Sequence, residues 1–213
     1  MEKIVDQQLV HCKADLLDFG CGNMPYRPLF ERKLQTYLGF DLPGNEMADG
    51  IISGDGRLER KDESVDIVLS SQVLEHVASP DTYLTEAFRV LRPGGQLILS
   101  THGVWRYHPD PADFWRWTCD GLKKLISAYD FEITYFEGLM GPEATAIQLW
   151  QDIKLLRIPD TLRTSFTWTM QRLMERADRR CQTADRDRDA CVYMVVATKG
   201  TAVPKVSLPD EPQ

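Results

Sequence analysis

The chain has few cysteines and none at a useful spacing: Cys12, Cys21, Cys119, Cys181 and Cys191 are odd in number and form no C-x-x-C pair. That pattern speaks against a disulfide framework and against a zinc site of standard spacing, and fits reduced thiols in a cytoplasmic protein. Long hydrophobic runs are also missing, so no stretch reaches the roughly 20 apolar residues that a membrane-spanning helix needs. The opening "MEKIVDQQLVHCKADLLDF" has no uninterrupted apolar core, which argues against a secretory leader. Positive charge is in deficit as well. The formal net charge is −7, the opposite of the basic face that wrapping a nucleic acid requires. What remains is an ordinary soluble composition over 213 residues, enough for one well-buried domain with an elaboration.

Apolar runs are short and alternate with helical patterns, which predicts an α/β fold with a mostly parallel sheet. Strands are expected at 14–19, 36–41, 49–53, 65–71, 95–101, 131–138 and 191–200. In "SPDTYLTEAFRVLRPGG", Tyr83, Leu84, Ala87, Phe88 and Leu91 share one helical face, and Pro93 with Gly94-Gly95 is expected to stop the helix. In "TCDGLKKLISAYDF", Thr118 is a candidate N-cap, Asp120 suits the positive end, and Leu122, Leu125, Ile126 and Tyr129 face inward. Residues 141–189 break the alternation with two helices and a charged run, "DRDRD". The second helix presents Leu162, Phe166, Leu173, Met174 and Ala177 near several arginines. This insertion within a domain spanning 1–200 is readable as a lid, a dimer face or a membrane-surface element. The Pro-rich tail 201–213 is expected to be disordered.

"LLDFGCGNMPYRPLF" places Asp18, Gly20 and Gly22 at the end of the first strand, where a ligand in a doubly wound sheet approaches backbone. Asp41 ends the second strand about 20 residues on, the spacing of a carboxylate that accepts from ribose hydroxyls. The dinucleotide pattern G-x-G-x-x-G would need glycine at 25, and the chain has Pro25. A cofactor without a pyrophosphate makes no such demand, which favours an adenosyl sulfonium over NAD. The alternative for the glycines is a plain turn, and for Asp41 a strand-end cap.

Together, "LLDFGCG", "GFD", "GDGRL", "SSQVLEHV" and "RVLRPGG" resemble the class I S-adenosylmethionine-dependent methyltransferases, over about Asp15 to Thr101 and again at the late strands. The resemblance implies a Rossmann-like, seven-stranded, mostly parallel sheet with helices on both faces and a reversed last strand. It also implies S-adenosyl-L-methionine as cofactor and S-adenosyl-L-homocysteine as product. By the same resemblance Asp18, Gly20 and Gly22 line the methionine and ribose part and Asp41 binds the ribose. Asp55 and Gly56 lie near the adenine amine, and Gln72 lies beside the cofactor. Asp55 also reads as a turn residue. Glu75 and His76 are expected to secure the loop after strand four rather than perform chemistry.

An alcohol acceptor needs a base, because its proton is held too tightly near neutral pH. "THGVWRYHPDPADFWRWT", directly after strand five, supplies His102 and His108 as candidate bases, with Asp110 or Asp113 to orient an imidazole. Trp105, Tyr107, Phe114, Trp115 and Trp117 offer aromatic walls suited to the apolar face of a sugar. Arg106 and Arg116 either grip an anionic group of the acceptor or pair with the nearby aspartates. Proline breaks this stretch into a spacing that matches no standard ligand pattern, so no metal is expected. "YHPDPADFWRWT" and "CGNMPYRPLF" further resemble methyltransferases of bacterial surface-polysaccharide and glycan biosynthesis. That likeness implies O-methylation of a sugar or glycoconjugate, free or lipid-linked. A small quinone, polyketide or amine acceptor is the alternative, as is a non-catalytic protein that only binds the cofactor. Little chain precedes the first strand, so an open acceptor pocket is expected. A nucleic-acid partner is disfavoured, because strand four does not end in an Asn/Asp-Pro-Pro-aromatic clamp.

Overall fold

The computed structural model describes residue 1, residues 13–31 and residues 33–200. Residues 2–12 and the tail expected to be disordered therefore lie outside the described residues. Among the described residues seven strands form one sheet: β1 (Ala14–Phe19), β2 (Leu34–Asp41), β3 (Gly50–Ile51), β4 (Val65–Ser71), β5 (Leu91–His102), β6 (Phe131–Leu139) and β7 (Val192–Lys199). Their order is β3-β2-β1-β4-β5-β7-β6, with β7 antiparallel to both its neighbours and the other pairings parallel. This is the Rossmann-like sheet with a reversed last strand that the sequence implied.

The central strands are buried on both faces, and their alternation sorts side chains into two cores. Leu17, Phe19, Val68, Leu97, Leu99, Val195 and Ala197 point one way. They meet Tyr83, Leu84 and Ala87 of α2 (Pro80–Val90) and Leu122 and Ile126 of α3 (Cys119–Ser127). Leu16, Ile67, Leu69, Ile98, Met194 and Val196 point the other way, toward Met24, Tyr37 and Phe30 of the short α1 (Arg27–Phe30). Each such leucine or valine contributes about 1.5–3 kcal/mol by leaving water. Thr118 caps α3 as expected, its Oγ1 accepting from the Gly121 amide at 3.1 Å.

The end of α2 differs from expectation. The helix stops at Val90, before Pro93, because Leu91 turns extended and pairs with Val65. The buried Lys199 ammonium then donates to the carbonyls of Phe88 at 2.9 Å and Leu91 at 2.7 Å, covering oxygens that the helix leaves unpaired. Gly94 and Gly95 lie inside β5, in the register shift between the Val65–Leu91 and Ile67–Gln96 pairs. A Cβ on Gly95 would sit 2.9 Å from the carbonyl oxygens of Arg92 and Asp66, so the bulge needs glycine there.

Between β6 and β7 the chain forms α4 (Pro142–Leu155), α5 (Asp160–Arg180) and α6 (Thr183–Arg188). Ala144 of α4 packs on Met170 and Met174 of α5, with Ile147, Phe166 and Ala177 around them. Of the apolar face presented by α5, Phe166, Met174 and Ala177 turn toward α4, whereas Leu162 and Leu173 are exposed. Met170 takes the inward place, one turn from both Phe166 and Met174.

Candidate active site

In a doubly wound sheet the ligand crevice lies where the chain direction of strand order reverses, here between β1 and β4 at their carboxyl ends. The glycine loop is built there. The amides of Gly20 and Cys21 both donate to the Phe40 carbonyl, at 2.8 and 3.1 Å, tying the loop to the end of β2. Gly20 has φ +87° and its missing Cβ would lie 2.7 Å from a Val73 methyl, so the loop after β1 is packed directly on the loop after β4. Gly22 has φ +51° with nothing within 4 Å of its missing Cβ: it faces open space.

Asp41 organises the rim of that space. Its Oδ2 accepts from the Gly22 amide at 2.9 Å and from Asn45 Nδ2 at 2.6 Å, and its Oδ1 accepts from the Leu42 amide at 2.8 Å. Asn45 also donates to the Gly22 carbonyl at 2.7 Å, a role the sequence reading missed. The only available signal was an amide side chain one turn beyond Asp41. Asp18 lies beneath the loop, 2% exposed, and accepts from the Tyr37 hydroxyl at 2.5 Å. Burial, opposed by that hydrogen bond, raises its carboxyl to about 6. Gln72 has φ +56°, and its Nε2 donates to Ser100 Oγ at 3.0 Å. Its Oε1 is buried without a partner, an acceptor awaiting a donor. Asp55 closes a turn, accepting from Ser53 Oγ at 2.5 Å and from the Arg57 amide at 3.3 Å. Gly56 follows at φ +82°.

The second half of the site is assembled at the ends of β4 and β5. His102, the last residue of β5, stacks on Trp105 with centroids 5.3 Å apart, and its ring meets that of His108 edge-on at 5.0 Å. Glu75, fully buried, comes from the loop after β4. Its Oε2 accepts from Thr101 Oγ1 at 2.8 Å, while its Oε1 lies 3.5 Å from His102 Nε2 and makes no hydrogen bond. Burial, followed by the charges of His108, Arg116 and His76, lowers His102 to about 4, so its imidazole is neutral near pH 7. Burial raises the Glu75 carboxyl.

Glu75 and His76 also secure a loop, but it is the one after β5 rather than the one after β4 that was expected. The Glu75 carbonyl accepts from the amides of Phe114 and Trp115 at 2.8 and 3.2 Å, and His76 Nδ1 pairs with the Ala112 carbonyl. The sequence reading missed the side chain of Glu75 meeting His102, because strand pairing rather than spacing joins them.

Of the two candidate orienting aspartates, Asp113 is the one beside an imidazole, its Oδ2 lying 3.5 Å from His108 Nδ1 and accepting the His108 amide at 2.8 Å. Asp110 is exposed. Arg116 grips Asp113 with two bonds of 2.6 and 2.7 Å, and donates to the carbonyls of Trp105, Arg106 and Trp115. That guanidinium is the first cause of a strongly lowered Asp113 carboxyl. Arg106 is half exposed, 4.0 Å from Asp152 of α4. Tyr107, Phe114 and Trp115 are exposed, and Trp115 stacks on Trp117 with centroids 5.6 Å apart.

Arg116 is therefore the staple of the loop. In Arg116→Ala, the amides of Phe114 and Trp115 are expected to exchange with solvent about thirtyfold faster, a local loss of roughly 2 kcal/mol. Amides in β4 and β5 should be unchanged. Hydrogen exchange followed by mass spectrometry checks both.

Residues 17–99 match the family model described as a methyltransferase domain. A probable S-adenosylmethionine-dependent methyltransferase from Mycolicibacterium smegmatis is 34% identical over 46% of this chain and 43% of its own length. A ubiquinone biosynthesis O-methyltransferase from Pseudomonas fluorescens is 25% identical over 46% of this chain and 48% of its own. The chain thus aligns with less than half of the length of these curated relatives. Among solved structures, the 4+2 cyclase SpnF superposes with a TM-score of 0.62 at 16% identity, covering 94% of this chain and 80% of its own. That likeness shows the fold and no more. Matched segment and strand order agree: residues 17–99 are similar to a methyltransferase domain and lie in a Rossmann-like sheet.

Proposed function

We propose that the chain is an S-adenosylmethionine-dependent methyltransferase acting on a hydroxyl of a sugar or glycoconjugate, with S-adenosyl-L-homocysteine as product. The observation that carries the cofactor reading is the open face of Gly22 beside the Asp41 carboxylate. Backbone without a side chain admits close approach, and the carboxylate, already accepting three hydrogen bonds, keeps an acceptor position on Oδ1 for a ribose hydroxyl. The buried Gln72 Oε1 adds an acceptor that lacks a donor. We assign Asp18 and Gly20 to the support of this loop, and Asp55 with Gly56 to the adenine end. When bound, the cofactor supplies a methyl group on a positively charged sulfur, already a strong electrophile.

The protein's task is then to hold an acceptor oxygen in line and remove its proton. We assign proton removal to the group formed by His102 and His108, with Asp113 orienting His108 and Asp110 at the outer rim. Trp105, Tyr107 and Trp115 provide faces for a sugar ring, and Arg106 reaches an anionic substituent. Arg116 holds these parts in place. No helix of the described residues is long and apolar enough to cross a membrane. We assign the helical pair, with Trp150, Leu162, Trp168 and Leu173 exposed, to contact with a large or lipid-linked acceptor, a second copy or an anionic membrane surface. The free thiols Cys21, Cys119, Cys181 and Cys191 fit a cytoplasmic location.

A quinone or other small metabolite is the second reading, favoured by the likeness to the ubiquinone biosynthesis O-methyltransferase. A third reading is cofactor binding without methyl transfer. Release of S-adenosylhomocysteine, measured against glycans, quinones and amines, separates them. Turnover on glycans alone supports the sugar reading, and binding without turnover on any acceptor supports the third. Calorimetry should show binding of S-adenosylmethionine and none of NADH. In Asp41→Ala that affinity is expected to weaken by about 1–3 kcal/mol. An unchanged affinity would remove Asp41 from the site.

A further inference from the structure

We propose that Glu75, His102 and His108 form a binding site for one divalent transition-metal ion at the acceptor end of the crevice. The inference rests on the reading above only for calling this the acceptor end. The metal site itself stands on geometry. One ligand atom from each of the three residues lies within 4.8 Å of the others. Ligands about 2.1 Å from a shared ion sit roughly 3–3.5 Å apart. Closing the set is a small movement, and His108, on the loop rather than a strand and with only long ring contacts of 3.3–3.5 Å, is the member placed to make it.

The carboxylate carries the argument. Glu75 is fully buried and held from behind by the Thr101 hydroxyl on Oε2, which aims Oε1 at His102 Nε2. Yet Oε1 receives no hydrogen bond. A buried carboxylate oxygen without a donor costs several kcal/mol, and a cation is the partner that relieves it. Arg116 does not serve, because both its arms are committed to Asp113. The surroundings have the form of a metal's outer shell: Thr101 fixes the carboxylate, Asp113 accepts the His108 amide, and Trp105 stacks on the His102 ring.

Donor chemistry names the class of ion. Two imidazoles and one carboxylate suit manganese, iron, cobalt or zinc, whereas magnesium and calcium prefer more oxygen ligands. Three protein ligands leave coordination positions open. An acceptor hydroxyl bound there would become more acidic and could release its proton to water, so with the ion in place His102 and His108 are ligands and no longer the base. The spacing within residues 102–117 predicted no metal because one ligand, Glu75, comes from a different strand end.

The test uses the full chain, stripped with chelator and titrated calorimetrically with Mn²⁺, Co²⁺ and Zn²⁺, with Mg²⁺ for comparison. One equivalent of at least one transition ion should bind with micromolar or tighter affinity, and more tightly than Mg²⁺. Bound Co²⁺ should develop visible d–d absorption. Glu75→Gln and His108→Ala should each weaken binding about tenfold or more. Absence of saturable binding up to about 1 mM in the wild type overturns the proposal, as does unchanged affinity in His108→Ala. The latter variant keeps the test valid if Glu75→Gln fails to fold. Titrating S-adenosylmethionine into the same sample separates the two ideas. Cofactor binding without metal binding sinks only the metal site. Metal binding without cofactor binding leaves the site standing and removes the methyltransferase reading.

Discussion

Gly20→Ala is expected to lower the stability of the protein by about 2–5 kcal/mol. About 1–2 kcal/mol comes from forcing an L-residue into left-handed backbone, and about 1–3 kcal/mol from overpacking. The added methyl would meet both Val73 methyls, at 2.7 and 2.8 Å, in a place where the loops after β1 and β4 are already in contact. A domain of this size has about 5–15 kcal/mol to lose, so a large shift in the urea midpoint should be visible. The double variant Gly20→Ala with Val73→Ala should recover the packing part and not the backbone part. Gly22→Ala should behave differently, because its Cβ enters open space. Its stability cost is about 1–2 kcal/mol from backbone alone, while S-adenosylmethionine affinity falls about tenfold or more, since the methyl occupies the crevice. Wild-type affinity in Gly22→Ala would mean that the ligand lies elsewhere.

The second large effect concerns Asp18. Its carboxyl is raised from its ordinary 3.8 to about 6 in the folded protein, with burial the first cause. The folded state therefore holds a proton that the unfolded chain has released between those two values. Stability from this group is intact below pH 3.8, declines as pH rises toward 6, and is constant above it. The decline amounts to roughly 3 kcal/mol at neutral pH. Asp18→Asn removes the titration, so the variant should gain on the wild type between pH 4 and pH 7. Denaturant unfolding across that range checks this, and parallel pH profiles for the two proteins would refute it. A carboxylate kept where it weakens the fold, against the Tyr37 hydroxyl and under the glycine loop, is the kind of local conflict found at functional sites.

Much of the fold was legible in the chain. Strands β1 and β4 begin and end where their apolar runs do, and β6 and β7 differ from expectation by a residue or so at their ends. Thr118 capped its helix through a hydroxyl within reach of its own first turn. Such features are local, decided by residues within a turn of one another. The errors were long-range. Gly94 and Gly95 read as a helix stop, but pairing of Leu91 with Val65 drew the chain into β5 and left the glycines to a bulge. Leu162 and Leu173 read as one face with Phe166 and Met174, yet α5 seats Met170 against α4 and leaves those two leucines exposed. In the site, Gly22 and Asp41 could be placed by their position at strand ends. Asn45 and the Glu75 side chain could not, since each acts on a residue from another strand.

By itself, then, the amino-acid order determined a two-faced parallel sheet, a side-chain-free loop at its first turn and a carboxylate at its second. Periodicity, glycine and strand-end position are written in neighbouring residues. Only the tertiary structure decided which charged group meets which ring: Glu75 against His102, Asp113 against His108, and Arg116 closed on Asp113 rather than open to a substrate. Those partners are chosen by how β4 and β5 lie side by side and how the loop folds back over their ends. No spacing along the chain records that proximity.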